Sequence, residues 1–207
     1  MEEVDSQKLD YLFKVLLVGN SGSGKTSIVS RLVGENFNED LSPTKGIDFR
    51  TKDYQIDLKN IKLHIWELPR AENSKSVTSI YMKNCSCVIV VYDITDKESL
   101  EWIDQWFLYA SPQIPEGCVK ILCGDKLYLL NERAITTEEG ISKADQYSMY
   151  YYETSALEGV DIDDMFEITT EEMKIRKDND TLKTTFVKDS FYLRDNKSLK
   201  IKKKKWC

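Results

Sequence analysis

LFKVLLVGNSGSGKTSIVSRL, residues 12–32, decides how the rest of this chain is read. Leu12 and the run Val15 to Val18 make an apolar segment of strand length that stops at Gly19. Gly19-Asn20-Ser21-Gly22-Ser23-Gly24-Lys25-Thr26 then fits G-x-x-x-x-G-K-[ST], a loop that cradles phosphate. Glycines suit it because the backbone must curl tightly and bring its N–H groups against phosphate oxygens. Lys25 is placed to reach the outer phosphates and the Thr26 hydroxyl to ligate Mg²⁺. Ile28, Val29, Leu32 and Val33 recur at helical spacing, so the loop opens a helix whose positive end faces the anion. A plain Gly/Ser turn explains the glycines, but not the strand before and the helix after.

The 207 residues are 41% hydrophobic and 31% charged, which suits one globular domain with a tail. The net charge of −6 hides an asymmetry: residues 196–207 hold six lysines and no acid. Without those six the balance falls to −12. An acidic body argues against a nucleic-acid partner, whereas a basic tail suits an anionic membrane surface. The opening MEEVDSQKLD is acidic and polar, unlike a secretory signal, and no apolar run nears the ~18 residues of a membrane span. Five cysteines without secretory context read as reduced thiols. Cys85 and Cys87 lie within an apolar stretch and read as core rather than as a metal site.

Along the chain, strands and helices alternate. Ile47/Phe49 and Tyr54/Ile56/Leu58 read as one strand and Ile61/Leu63/Ile65 as the next, with a hairpin turn at Lys59-Asn60. His64 has the opposite parity and reads as a solvent-facing strand residue. Cys87 to Asp93 is a continuous apolar run, the pattern of a strand covered on both faces, and Val119 to Cys123 reads as a further buried strand. Leu100, Ile103 and Phe107, with Trp102 and Trp106, predict a helix, as do Thr137 to Ser148 and the series Ile162, Met165, Phe166, Thr169 and Met173. Tyr150 to Glu153 reads as a strand. From Asp178 the sequence turns polar and aperiodic, so residues 1–177 are expected to form the domain and 178–207 a flexible tail. A mostly parallel α/β sheet follows, with ligands beyond the carboxyl ends of its strands.

The phosphate loop, Thr44-Lys-Gly-Ile-Asp-Phe49, Lys62-Leu-His-Ile-Trp66, Val91-Tyr-Asp-Ile-Thr95 and Glu153-Thr-Ser-Ala156 stand in the order and spacing of Rab-type small GTPases. The resemblance spans about residues 10 to 176. It implies a Ras-like P-loop fold of six mostly parallel strands with about five helices, and a nucleotide-dependent switch in vesicle traffic. In such a switch GTP and Mg²⁺ order two loops that partners read. The implied nucleotide site comprises Gly19, Ser21, Gly22, Ser23, Gly24, Lys25, Thr26, Ser27, Thr44, Asp125, Lys126, Ser155 and Ala156. Thr26 and Thr44 would ligate Mg²⁺, and Glu67 would hold it through a water. Effectors and regulators would meet Thr44–Phe49 and Glu67–Ser76.

Several positions depart from the family pattern. Asp-x-x-Gly-Gln after the tryptophan is here Glu67-Leu68-Pro69-Arg70-Ala71. Ala71 stands where a glutamine orients the attacking water, and a methyl group cannot, so intrinsic hydrolysis is expected to be crippled. An internal arginine finger from Arg70 is the sharper alternative, although it still needs something to position the water. Asn-Lys-x-Asp is here Asp125-Lys126-Leu127-Tyr128. Tyr128 cannot supply the bidentate acceptor for the guanine edge, unless the Asp125 carboxylate swings into that role.

Lys197 to Cys207 joins a polybasic run to Trp206 and a terminal cysteine. The resemblance implies lipidation at Cys207, although a single last cysteine is neither the usual pair nor a C-a-a-X box. A lipid with basic residues supplies the two signals of stable anchoring; the resemblance implies a cytosolic monomer held peripherally on the cytoplasmic face of endomembranes. Two functional readings stand: a GTP/GDP switch with weak turnover, and a pseudo-GTPase interaction module without guanine specificity. A nucleotide kinase would have no reason to carry the Thr44–Phe49 and Glu153–Ala156 motifs.

Overall fold

The computed structural model describes residues 8–37, 46–68 and 80–179. Strand β1, Tyr11–Gly19, leads through the phosphate loop into α1, Lys25–Leu32. Strands β2, Asp48–Ile56, and β3, Lys59–Glu67, form an antiparallel hairpin. Then follow β4, Cys87–Asp93; α2, Lys97–Ala110; β5, Val119–Asp125; α3, Thr137–Gln146; β6, Tyr150–Glu153; and α4, Ile162–Asp178. The six strands lie in the order β2-β3-β1-β4-β5-β6, and every pairing except β2–β3 is parallel. Residues 80–82 add helical structure to the four α-helices among the described residues. This is the Ras-like α/β arrangement expected.

The period of two along β1 divides the core. Leu16 and Val18 face a cluster with Val88, Val90, Tyr92, Trp102 and Trp106 under α2 and α3. Val15 and Leu17 face the opposite cluster, with Ile28, Ile65, Ile89, Val91, Met165 and Phe166 under α1 and α4. All seven residues of β4 are buried, as the unbroken apolar run requires of a strand with helices on both faces. Cys85, Cys87, Cys118 and Cys123 are buried thiols, and no metal-holding group of three or more His, Cys, Asp or Glu side chains exists among the described residues.

The hairpin turn differs from expectation. It falls at Asp57 and Leu58, whose φ values of 51° and 61° lie in the left-handed region, and Lys59 already pairs with Ile56. Leu58 is 89% exposed, so it is a turn residue and not the end of the apolar alternation. Phe49 also leaves that set: it lies opposite Trp66 on the face away from Tyr54 and Ile56, with its ring edge-on to His64. His64 is therefore half-buried rather than solvent-facing.

Candidate functional site

The parallel strands β3, β1, β4, β5 and β6 all end on one side of the sheet, bringing together Glu67, Gly19, Asp93, Asp125 and Glu153. The phosphate loop crosses this edge. Gly19 has φ 153°, and a β-carbon there would lie 2.2 Å from the Val91 carbonyl oxygen. No larger residue can let the loop pass so close to β4. Ser21 is exposed, Ser27 half-buried and Ser23 buried, its Oγ 2.9 Å from the same β-carbon position and so turned to the loop's underside. Gly24 precedes α1 and no side chain caps the helix start, which leaves that start suited to an anion.

Lys25 folds back over the loop, donating from Nζ to the carbonyls of Asn20 at 2.7 Å and Gly19 at 3.1 Å. Burial pulls its pKa down to about 8, with the Glu67 charge opposing. A polyphosphate beside this ammonium would restore the stabilisation of the charged form that is lost with its water. Thr26 donates from Oγ1 to Glu67 Oε1 at 2.5 Å. A hydroxyl and a buried carboxylate so close, next to a phosphate cradle, form a hard oxygen donor set that fits Mg²⁺. Thr44, Pro69, Arg70 and Ala71 lie outside the described residues.

Asp125, Lys126, Ser155 and Ala156 converge behind the loop. Asp125 is 1% exposed, and its Oδ1 accepts from Thr154 Oγ1 at 2.9 Å and the Ala156 backbone N–H at 3.1 Å. The carboxylate is thus tied down inside the site and not swung toward the position vacated at Tyr128. It also takes the Ala156 amide that the family resemblance assigns to the guanine oxygen. Ser155 is buried; its Oγ accepts from the Glu158 N–H, closing a tight turn. Tyr128 places its ring edge-on to Phe37, 6.5 Å between centroids.

Two contributors had escaped the sequence reading. Asp93 ends β4 and holds Lys126 by an ion pair of 2.6 Å, while its other oxygen accepts from Thr95 N–H and Oγ1. Phe37, just after α1, lines the side of the site that Tyr128 faces. Both roles arise across sequence distance, and only the motif order around Val91–Thr95 hinted at the first. Nearby, Phe49, Trp66 and Tyr81 form an aromatic row, with centroid spacings of 4.6 and 5.3 Å. Phe49 is 40% exposed, which gives the expected partner-reading segments a tangible apolar surface.

Comparison with known proteins decides the lineage. The Ras family model matches residues 14–175. The chain belongs to the Ras family and is a Rab-type small GTPase of that superfamily. It is 36% identical to Ras-related protein RABA1b of Arabidopsis thaliana, over 80% of this chain and 77% of that protein. Ras-related protein Rab-13 of Bos taurus is 33% identical over 84% of this chain and 86% of its own. GTP-binding protein YPT1 of Saccharomyces cerevisiae is 33% identical over 82% of each. Within this Rab-type frame the phosphate loop follows the family pattern, and the departures gather at Glu67–Ala71 and Asp125–Tyr128.

Proposed function

We propose that this protein is a nucleotide-dependent switch or docking module of intracellular vesicle traffic that binds GTP or GDP with Mg²⁺ and hydrolyses GTP poorly. The observation that carries the binding half is the phosphate loop closed around Lys25, with Thr26 and Glu67 joined beside it. Thr26 would hold Mg²⁺ directly, with Thr44, and Glu67 through a water. Mg²⁺, when bound, neutralises charge on the phosphate oxygens. Gly19, Ser21, Gly22, Ser23, Gly24, Lys25 and Ser27 would wrap the phosphates. Lys126, steered by Asp93, would lay its stem along the base.

The hydrolysis half rests on Ala71, which has no group to orient a water, and on Arg70 at the glycine position. Single-turnover hydrolysis should therefore be far slower than in an ordinary family member, and Ala71→Gln alone should not restore it fully. A normal rate in the unaltered protein overturns this reading.

A second reading, a pseudo-GTPase module without guanine specificity, is favoured by the base side. Tyr128 offers no carboxylate there, and Asp125 has claimed the Ala156 amide. Competitive displacement of a fluorescent guanine nucleotide by GTP and by ATP in Mg²⁺ separates the two. Weak discrimination that Tyr128→Asp with Asp125→Asn strengthens supports the second reading; a wild-type GTP preference of several orders of magnitude restores the first. In either, partners read Thr44–Phe49 and Glu67–Ser76, and Lys197–Cys207 docks the cytosolic monomer peripherally on endomembranes, helped by a lipid on Cys207.

A further inference from the structure

The phosphate loop and the base loop meet at a contact that neither reading explains. One oxygen of Asp125 is held by Thr154 and Ala156, and the Lys126 backbone N–H also donates to this carboxylate. The other oxygen, Oδ2, presses on the phosphate loop: a β-carbon built on Gly24 would lie 2.2 Å from it. Gly24 is the last residue before Lys25, so a buried carboxylate stands directly behind the backbone that is to hold a polyanion. Two negative groups on either side of one glycine repel strongly where solvent is excluded.

The surrounding charges offset that repulsion only in part, the attraction of Lys126 for Asp125 being weaker than the hydrogen bonds that hold the carboxylate. Lys126, the neighbouring cation, is drawn to Asp93 at 2.6 Å, and Asp93 is itself the residue opposite Asp125 in the β4–β5 register. From the loop side, Lys25 directs its ammonium to Gly19 and Asn20 carbonyls. Cys123 below is a buried thiol pushed up by burial, and Glu153 at the end of β6 is already held by Arg133.

We propose that Asp125 is a proton-linked determinant of nucleotide affinity: the nucleotide binds together with one proton, taken from solvent by this carboxylate. The neutral carboxyl removes the negative charge behind Gly24, and its O–H supplies a donor facing the phosphate loop. This rests on the nucleotide-binding reading above. Burial already pushes the Asp125 carboxyl up to about 6, against the hydrogen bonds from Lys126, Thr154 and Ala156, so an arriving polyphosphate acts on a group poised near neutrality.

The test measures affinity of the full chain for a fluorescent GDP analogue in Mg²⁺ from about pH 6 to about pH 8. Wild type should tighten as pH falls, on the order of tenfold for each unit by which binding raises the carboxyl pKa. Asp125→Asn should give a flatter profile and bind more tightly than wild type at the alkaline end. Calorimetry in two buffers of different ionisation enthalpy should show greater proton uptake by wild type. Ionisation of the phosphate and of Lys25 is common to both proteins and cancels in the difference. Thr154→Val, which removes a donor to the carboxylate and keeps its titration, should move the pH dependence upward, and it carries the test if Asp125→Asn fails to fold. Parallel profiles with equal proton uptake, or an unmoved profile in Thr154→Val, overturn the proposal while nucleotide binding stands. No binding by any variant at any pH removes the nucleotide reading itself.

Discussion

At the scale of single residues, the site is built from backbone that tolerates no side chain and from charges placed where burial opposes them. Gly24 has φ 99°, and its missing β-carbon would strike Asp125. Gly24→Ala should therefore cost at least about 2–3 kcal/mol, read as a lowered urea midpoint. Asp125 carries a linkage of defined sign. Its carboxyl titrates near 6 in the fold against 3.8 ordinarily, so the fold binds that proton more tightly than the unfolded chain does. Stability is thus lost as pH rises from about 4 to about 6, and above that window the penalty is on the order of 3 kcal/mol. In nucleotide-free protein, Asp125→Asn should raise the urea midpoint at about pH 7.5 and leave it little changed near pH 4. Lys25→Ala deletes the cation that would meet the phosphates and should abolish nucleotide binding by calorimetry; equal affinity in the mutant would mean that this loop holds no phosphate.

At the scale of elements, the end of β6 shows how the fold fixes a recognition loop. Arg133 grips both oxygens of Glu153 at 2.7 and 3.0 Å, Thr137 donates to the same carboxylate, and Tyr151 adds its hydroxyl at 2.8 Å. The next residues, Thr154 to Ala156, carry the donors that hold Asp125. Arg133→Ala leaves the Glu153 carboxylate only the Thr137 and Tyr151 hydroxyls and should cost about 1–3 kcal/mol in stability and speed nucleotide release. Helix α3 starts with a reciprocal capping box between Thr136 and Glu139, so Thr136→Ala should cost about 1 kcal/mol. Strand β4 was legible because burial on both faces writes a continuous apolar run, and β5 because its apolar residues are broken only by the half-buried Lys120. The hairpin turn was not, because Leu58 continues the apolar alternation while its backbone takes a left-handed conformation that favours glycine or asparagine. Within the site, the phosphate loop is contiguous and announced itself, whereas the pairing of Asp93 with Lys126 spans two strands and needs the fold to be seen.

At the scale of the whole molecule, two cores sandwich one sheet, and each depends on a large aromatic: Trp106 on one side and Phe166 on the other are fully buried. Phe166→Ala should cost about 3–5 kcal/mol in a single cooperative transition. Charge is segregated on the same scale, with an acidic body and six lysines in residues 196–207. Replacing Lys202 to Lys205 by alanine should weaken sedimentation with anionic vesicles, at about 1 kcal/mol per lysine, and abolish most of its salt dependence. The burial of Cys85, Cys87, Cys118 and Cys123 has a practical use. Such thiols sit out of reach of a maleimide, and burial holds those of Cys85, Cys87 and Cys123 in the protonated, unreactive form. Native protein should then take up no reagent at these four positions, and one equivalent at each in denaturant, as mass spectrometry of the peptides would count. The sequence thereby carries its own probe of opening: slow labelling at these four positions reports how often the sheet is exposed, with no engineered cysteine.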